Sequence, residues 1–167
     1  MKIVLALDPA TYTTGYAIFK VVKEETKLIK YGYFEIPKDM KYPERMYLLR
    51  EKTLLLIDKA KPTHLVIEAP FLGPNPQTFK LLSGGYGILC GISHERGLPL
   101  IAMPPTEAKI HLLGTSRMKG AISKKKIKDL LEPFFNVKFT KLDESDAVAT
   151  GVTAIDKYII KGIDIHY

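Results

Sequence analysis

Two short aliphatic runs in this chain each end on an acid. Ile3 to Leu7 stops at Asp8-Pro9, and Leu65-Val66-Ile67 closes on Glu68, Ala69 and Pro70. Runs of this length and composition, bounded by proline, predict strands buried on both faces. Such strands occur where helices cover a sheet, which points to an α/β architecture. They also pose a problem. A carboxyl at the end of a buried strand is partly desolvated, which raises its pKa or demands a partner.

The remaining segments fit around these two. Thr14 to Val22 and Leu28 to Ile36 are rich in β-branched and aromatic residues, and with Lys2–Leu7 they predict an antiparallel meander that Pro37 ends. Pro43 suits a first helical turn, and Met46, Leu49, Thr53, Leu56, Ile57 and Ala60 recur at helical spacing up to Lys61-Pro62. His64–Glu68 is the next strand, Gln77–Glu95 a helix containing four glycines, and Leu98–Met103 a further strand. Pro105–Leu113, Ser123–Phe135 (with the Ser123 hydroxyl as its cap) and Asp143–Ile160 are helices. The expected fold is α/β: three antiparallel strands followed by alternating helices and strands, with helices on the faces of a mixed sheet. No repeat, low-complexity tract or linker divides the 167 residues, and the length suits one domain, 1–167.

Asp143 and Asp146 open the last helix three residues apart and share a face. If the strands ending in Asp8 and Glu68 are neighbours, those two acids converge. Carboxylates gathered in one place repel unless a cation neutralises them, and oxygen-only ligands suit Mg²⁺ or Mn²⁺. Two such ions are the standard arrangement for in-line phosphodiester hydrolysis. Each acid also has a purely structural reading. Asp143 or Glu144 could cap the helix, Asp8 could shape a turn, and Glu68 could pair with a lysine.

Charge supports a polyanionic partner: Lys and Arg number 25 against 18 acids, for a net charge of +7. Lys109, Arg117, Lys119, Lys124, Lys125, Lys126 and Lys128 cluster late in the chain. Ile127, Leu130 and Leu131 take the core side of that helix, so its lysines are expected to face outward as a phosphate-binding surface. Phe71, flanked by Pro70, Gly73 and Pro74, is expected on an exposed loop. A lone Cys90 excludes an internal disulfide and a thiolate metal site. No signal peptide or stretch of ~20 apolar residues is present, so the chain is expected inside the cell, in the cytoplasm. The four histidines, His64, His94, His111 and His166, are scattered and receive no role.

Several of these segments resemble one family. Leu5-Ala6-Leu7-Asp8-Pro9-Ala10 followed by Thr14-Gly15-Tyr16-Ala17 is similar to the first strand and turn of RuvC resolvases. Ile67-Glu68 followed by Phe71 resembles their second acidic motif and its hydrophobic loop. Asp143-Glu144-Ser145-Asp146-Ala147 resembles their closing acid pair. The departures are Ala10, where the family usually has Gly, and Ala69-Pro70, where bacterial members carry Gln and an aliphatic residue. The resemblance implies an RNase H-like five-stranded sheet and a homodimer that binds four-way DNA junctions and makes two symmetric, metal-dependent nicks. It implies Asp8, Glu68, Asp143 and Asp146 as catalytic metal ligands, with Mg²⁺ (or Mn²⁺) as two ions per site. It implies Phe71 as an aromatic that stacks at the opened junction, and Lys109 and Lys119 as lysines near the scissile phosphate. Gly84, Gly85, Gly87 and Gly91 mark close packing of their helix, on the sheet or across the dimer two-fold. Two alternatives stay open: a RuvC-related RNA-processing nuclease of the YqgF type, and a non-catalytic branched-DNA binder. A third, an actin-like ATPase, lacks its second glycine-rich phosphate loop.

Overall fold

The computed structural model describes residues 1–163, which leaves His166 outside the described residues. Strands β1 (Lys2–Pro9), β2 (Thr13–Val22) and β3 (Glu25–Glu35) form the antiparallel meander. Helix α1 (Tyr42–Ala60) leads to β4 (His64–Glu68), α2 (Pro76–Glu95) and β5 (Leu100–Met103), and then α3 (Pro105–Leu113), α4 (Gly120–Phe135) and α5 (Leu142–Ala154) follow. A wider π-type turn, Ile155–Ile159, continues α5. The sheet order is β3-β2-β1-β4-β5, with β1, β4 and β5 parallel. The expected mixed five-stranded α/β fold is therefore the observed one. Among the described residues, no helix is long and apolar enough to cross a membrane.

Strand parity decides which face receives each side chain. Leu5 and Leu7 of β1, Ile18 of β2, and Leu65 and Ile67 of β4 pack with Leu49, Ile57, Leu89 and Ile92 of α1 and α2. Val4, Ala6, Ala17, Phe19 and Val66 face the other way and meet Ile127, Leu131, Ala147, Val148 and Val152 of α4 and α5. Asp8 keeps the parity of Val4 and Ala6, and Glu68 that of Val66. Leu7 pairs with Ile67 in the parallel register, so the next residues on both strands are the two acids, both on the α5 side.

Helix α5 lies unusually close to this face because two positions carry no side chain. A Cβ at Gly15, which pairs with Asp8, would fall onto the backbone carbonyl of Asp143. A Cβ at Gly151 would press into the Phe19 ring and Ala6. In α2 the four glycines divide. Gly84 lies under the Tyr42 hydroxyl and Gly85 contacts Leu49 of α1, whereas Gly87 and Gly91 face open space.

Helix α4 starts earlier than the sequence pattern predicts. It begins at Gly120, and the buried Ser123 hydroxyl donates to the Gly120 carbonyl (2.9 Å) rather than capping the helix. A serine inside the first turn can satisfy its hydroxyl on a backbone carbonyl, which removes it as a boundary signal.

The close seat of α5 makes a specific demand on Gly15. Gly15→Ala should lower the melting temperature by several degrees, because over-packing against rigid backbone costs about 1–3 kcal/mol. It should also move Asp143 and Asp146 away from Asp8. Calorimetry measures the first effect, and an unchanged melting temperature would mean that α5 does not rest on β2.

Candidate active site

The two strand ends and one helix face bring three carboxylates together. Asp8 and Asp146 are buried, each 8% exposed, and Glu68 is half-buried between them in sequence order along the groove. Their charges act on one another: Glu68 and Asp146 both disfavour ionised Asp8, and Asp146 disfavours ionised Glu68. Asp143 stands on the rim, partly exposed, and its charge still reaches Asp8 and Asp146.

The start of α5 separates capping from chemistry. The Glu144 carboxylate accepts from Thr140 N (2.6 Å), Thr140 Oγ1 (3.0 Å) and Lys141 N (3.1 Å), and so takes the capping task. Asp143 and Asp146 are left for the groove. One turn further on, Thr150 Oγ1 donates to Glu68 Oε2 at 3.4 Å, a long bond that orients the carboxylate. Thr150 was not singled out in sequence, although its place four residues after Asp146 puts it on the same face.

Lys124 is the fourth member of the group. Its ammonium donates to Asp146 Oδ2 and feels the charges of Asp8 and Glu68. The α4 lysines are expected to face outward, and Lys124 is exposed, with 46% of its side chain accessible, while its ammonium reaches back to the buried Asp146. Lys124 precedes Ile127 by three residues and Leu131 by seven, and both are buried, so it lies on the inner edge of the helix. Lys128 is turned inward, donating to the Phe139 carbonyl (2.9 Å) beside Glu132. Arg117, Lys119, Lys125 and Lys126 are exposed as expected. Lys109 and Lys124, not Lys119, share the cleft with Glu68 and Asp146.

Burial dominates the electrostatics. It raises Asp8 well above the ordinary carboxylate range, with Glu68 and Asp146 adding to the effect. Burial and then Asp146 push Glu68 up to about 7, against the opposing pull of Lys124. Asp146 is raised too: desolvation outweighs its ion pair with Lys124. Burial alone would lower Lys124, but the surrounding carboxylates outweigh it and hold the ammonium charged.

These donors fit a hard divalent cation. All are oxygens, they carry more negative charge than one ammonium balances, and their raised pKa values register that excess. Among the described residues, no three acids stand close enough to share an ion as they are placed, since Asp146 is drawn to Lys124. The groove beside them is open. Asp8, Glu68, Pro9, Leu82 and Pro105 line one part of it with the exposed Phe71 (66%), and Leu72 next to Phe71 is equally bare. The loop position expected for Phe71 is the observed one.

A mixed sheet in 3-2-1-4-5 order, with acids at the ends of its two central parallel strands and on the helix crossing them, defines the RNase H-like class of fold. A family model described as crossover junction endodeoxyribonuclease RuvC matches residues 4–154. The chain belongs to that family, whose members are metal-dependent nucleases. A relative of that name from Protochlamydia amoebophila is 27% identical over 161 residues, covering 95% of this chain and 94% of its own. Another from Christiangramia forsetii is 29% identical, covering 90% and 78%. Among solved structures, a T. thermophilus RuvC in complex with a Holliday junction substrate shares the fold with a TM-score of 0.82 at 18% identity, covering 97% of each chain. The fowlpox virus resolvase in complex with Holliday junction DNA has a TM-score of 0.61 at 17% identity, covering 92% and 97%.

The acid crowd sets the pH dependence of the metal-free protein. An acid whose pKa is raised in the folded state stabilises the fold below its unfolded pKa and loses that contribution as pH rises through the folded value, here from about pH 4 to 7 and above. Asp8→Asn should therefore melt progressively higher than the wild type as pH rises from ~5 to ~8 in chelator, with a gap on the order of 5 °C at the upper end. Added Mg²⁺ should narrow the gap by stabilising the wild type. A gap independent of pH would mean the carboxylates do not repel.

Proposed function

We propose that this chain is a structure-selective DNA endonuclease that resolves Holliday junctions or other branched DNA by paired phosphodiester hydrolysis, leaving 5′-phosphate and 3′-hydroxyl ends. The observation that carries the reading is the convergence of buried Asp8 and Asp146 with half-buried Glu68, whose charges disfavour one another, at the strand ends of a RuvC-family sheet. The names of the relatives and the junction DNA bound by the related structures support the substrate. The family match favours this reading over the RNA-processing and non-catalytic alternatives.

In this reading Asp8, Glu68, Asp143 and Asp146 hold Mg²⁺, or Mn²⁺ in its place, as two ions per site. When bound, such ions activate water and neutralise charge on the phosphate and the leaving oxygen. The protein's own groups then have distinct tasks. Thr150 fixes the Glu68 carboxylate, and Lys109 and Lys124 attract the scissile phosphate into the cleft. Arg117, Lys119, Lys125 and Lys126 extend the cationic surface along the duplex arms, while Lys128 contributes charge from a tethered position. Phe71 stacks on a base at the opened junction centre, a contact indifferent to sequence. We place residues 1–167 in one nuclease domain, working in the cytoplasm.

A symmetric four-way junction calls for two active sites. We propose a homodimer formed through α2, supported by the two glycines on its free face, Gly87 and Gly91, which have no neighbour within the chain to explain them.

Two outcomes check these assignments. Asp146→Asn should abolish Mg²⁺-dependent nicking of a synthetic four-way junction, while binding in chelator is kept or tightened because one repelling charge is gone. Retained nicking would remove Asp146 from the reaction. Gly87→Arg should convert a sedimenting dimer to monomer with the melting temperature of the monomer fold preserved, and an unaltered sedimentation coefficient would place the dimer contact elsewhere.

A further inference from the structure

One buried charge outside the carboxylate group has no counter-ion. Arg45, near the start of α1, is 8% exposed. Among the described residues its guanidinium makes no ion pair or side-chain hydrogen bond, and its Nε–H has no acceptor. The adjacent Glu44 is engaged by the Lys41 backbone N–H at 2.9 Å. The guanidinium is instead framed by two aromatic rings, Tyr12 at 5.1 Å and Tyr42 at 5.9 Å from centroid. Tyr42 keeps its place over Gly84, where any side chain would collide with its hydroxyl. Lys38 stands over the other ring, 5.9 Å from the Tyr12 centroid.

Stacking on tyrosine recovers part of the hydration an arginine loses on burial, and no anion recovers the rest. An arrangement that frames a guanidinium with aromatic rings, without a carboxylate partner among the described residues and with its Nε–H unmet, is poised for an anion from outside. The planar fork matches two oxygens of a phosphate.

Position says which anion. Arg45 lines a narrow cleft with Pro9, Thr11, Tyr42 and Leu82. Pro9 and Leu82 also line the cleft that holds Asp8 and Glu68. That cleft in turn shares Glu68 and Pro105 with the one lined by Lys109, Lys124 and Asp146. The three clefts are thus neighbours in a row, with Arg45 in the first, Asp8 and Glu68 in the second, and Lys109 and Lys124 beside Asp146 in the third. A strand placed with one phosphodiester over the acids has its backbone led over Pro9 toward Arg45 in one direction, and over Lys109 and Lys124 in the other.

We infer that Arg45, framed by Tyr12, Tyr42 and Lys38, is a binding site for a backbone phosphate of the nucleic-acid strand, on the side of the active site opposite Lys109 and Lys124. The inference rests on the nuclease reading, because the row of clefts passes over its acids. Arg45 acts by holding the strand and takes no part in the bond cleavage.

The test compares wild type, Arg45→Met and Arg45→Lys for binding to a synthetic four-way junction in chelator across a salt series. Arg45→Met is expected to weaken binding about tenfold and to reduce the slope of log affinity against log salt by about one, as for one lost phosphate contact. Its melting temperature is expected to hold or rise, since an unpaired buried charge is replaced by an apolar chain of similar length. Arg45→Lys should keep most of the salt slope while losing part of the affinity. Unchanged affinity and slope in Arg45→Met, or a lowered melting temperature with the slope unchanged, would overturn the inference and leave Arg45 a packing residue.

A second measurement covers a variant that does not fold. The Arg45 Nε–H resonance of the wild type, assigned by its loss in Arg45→Lys, should shift on adding junction DNA and, more weakly, inorganic phosphate. A resonance that moves with neither also overturns the site. If wild type binds no junction yet phosphate shifts the resonance, the anion site stands and the branched-DNA reading fails. If the junction binds and nothing moves at Arg45, the reverse holds.

Discussion

The distance between α5 and the sheet governs the rest of this molecule. Asp146 reaches the acids on β1 and β4 only because the helix that carries it lies almost on the backbone of β2, with Gly15 under Asp143 and Gly151 under Phe19. Ala6 and Ala17 lie in the same layer as Ala147, so the helix meets small residues there as well as the Phe19 ring. Leu5, Leu7, Leu65 and Ile67 point to the opposite face, where they pack with α1 and α2.

Proximity has an energetic consequence. Three carboxylates drawn out of water repel, and burial disfavours each charge independently of the others. The protein lessens this with Lys124, yet Asp8, Glu68 and Asp146 all stay raised, burial first and their mutual charge second for Asp8 and Glu68. A complete internal neutralisation would have made the fold more stable and the site inert, because a divalent cation would then have to displace well-matched partners. The observed compromise leaves one partly exposed ammonium among three acids.

Much of this was legible in the sequence, for identifiable reasons. Proline-bounded aliphatic runs fixed β1 and β4, and strand parity with a parallel pairing then forced Asp8 and Glu68 onto one face. The three-residue spacing of Asp143 and Asp146 gave their common side of α5. What escaped was set by helix phase and by contacts between distant segments. Six of the seven clustered basic residues fall within a dozen positions, and composition treats them alike. Only the phase relative to Ile127 and Leu131 sets Lys124, whose ammonium reaches Asp146, apart from Lys125 and Lys126. Ser123 looked like a cap because its residue type suits one, but its hydroxyl is met from within the helix. Gly15 could be seen to sit in a strand, where glycine often marks close approach, yet the partner in that approach lies 128 residues away at Asp143. Asp143 and Glu144 were interchangeable as caps until the hydrogen bonds from Thr140 and Lys141 assigned the task to Glu144.

The acids and Arg45 pose the same physical question with opposite sign. A fold tolerates buried charge that is unpaired only when its overall margin allows, and mutation removes such charge easily because most replacements are stabilising. Here two incompletely balanced sets persist, negative at Asp8, Glu68 and Asp146 with Lys124 as their one ammonium partner, and positive at Arg45, in neighbouring clefts that share Pro9 and Leu82. Among the described residues the two sets form no ion pair with each other. Helix α1 anchors the guanidinium between Tyr12 and Tyr42, and the rigid turn at Pro9 stands between it and the carboxylates. A ligand that satisfies both must carry cations at one point and an anionic oxygen a short step away. A metal-bound phosphodiester chain meets that description, and a lone cation or a lone anion meets only half of it.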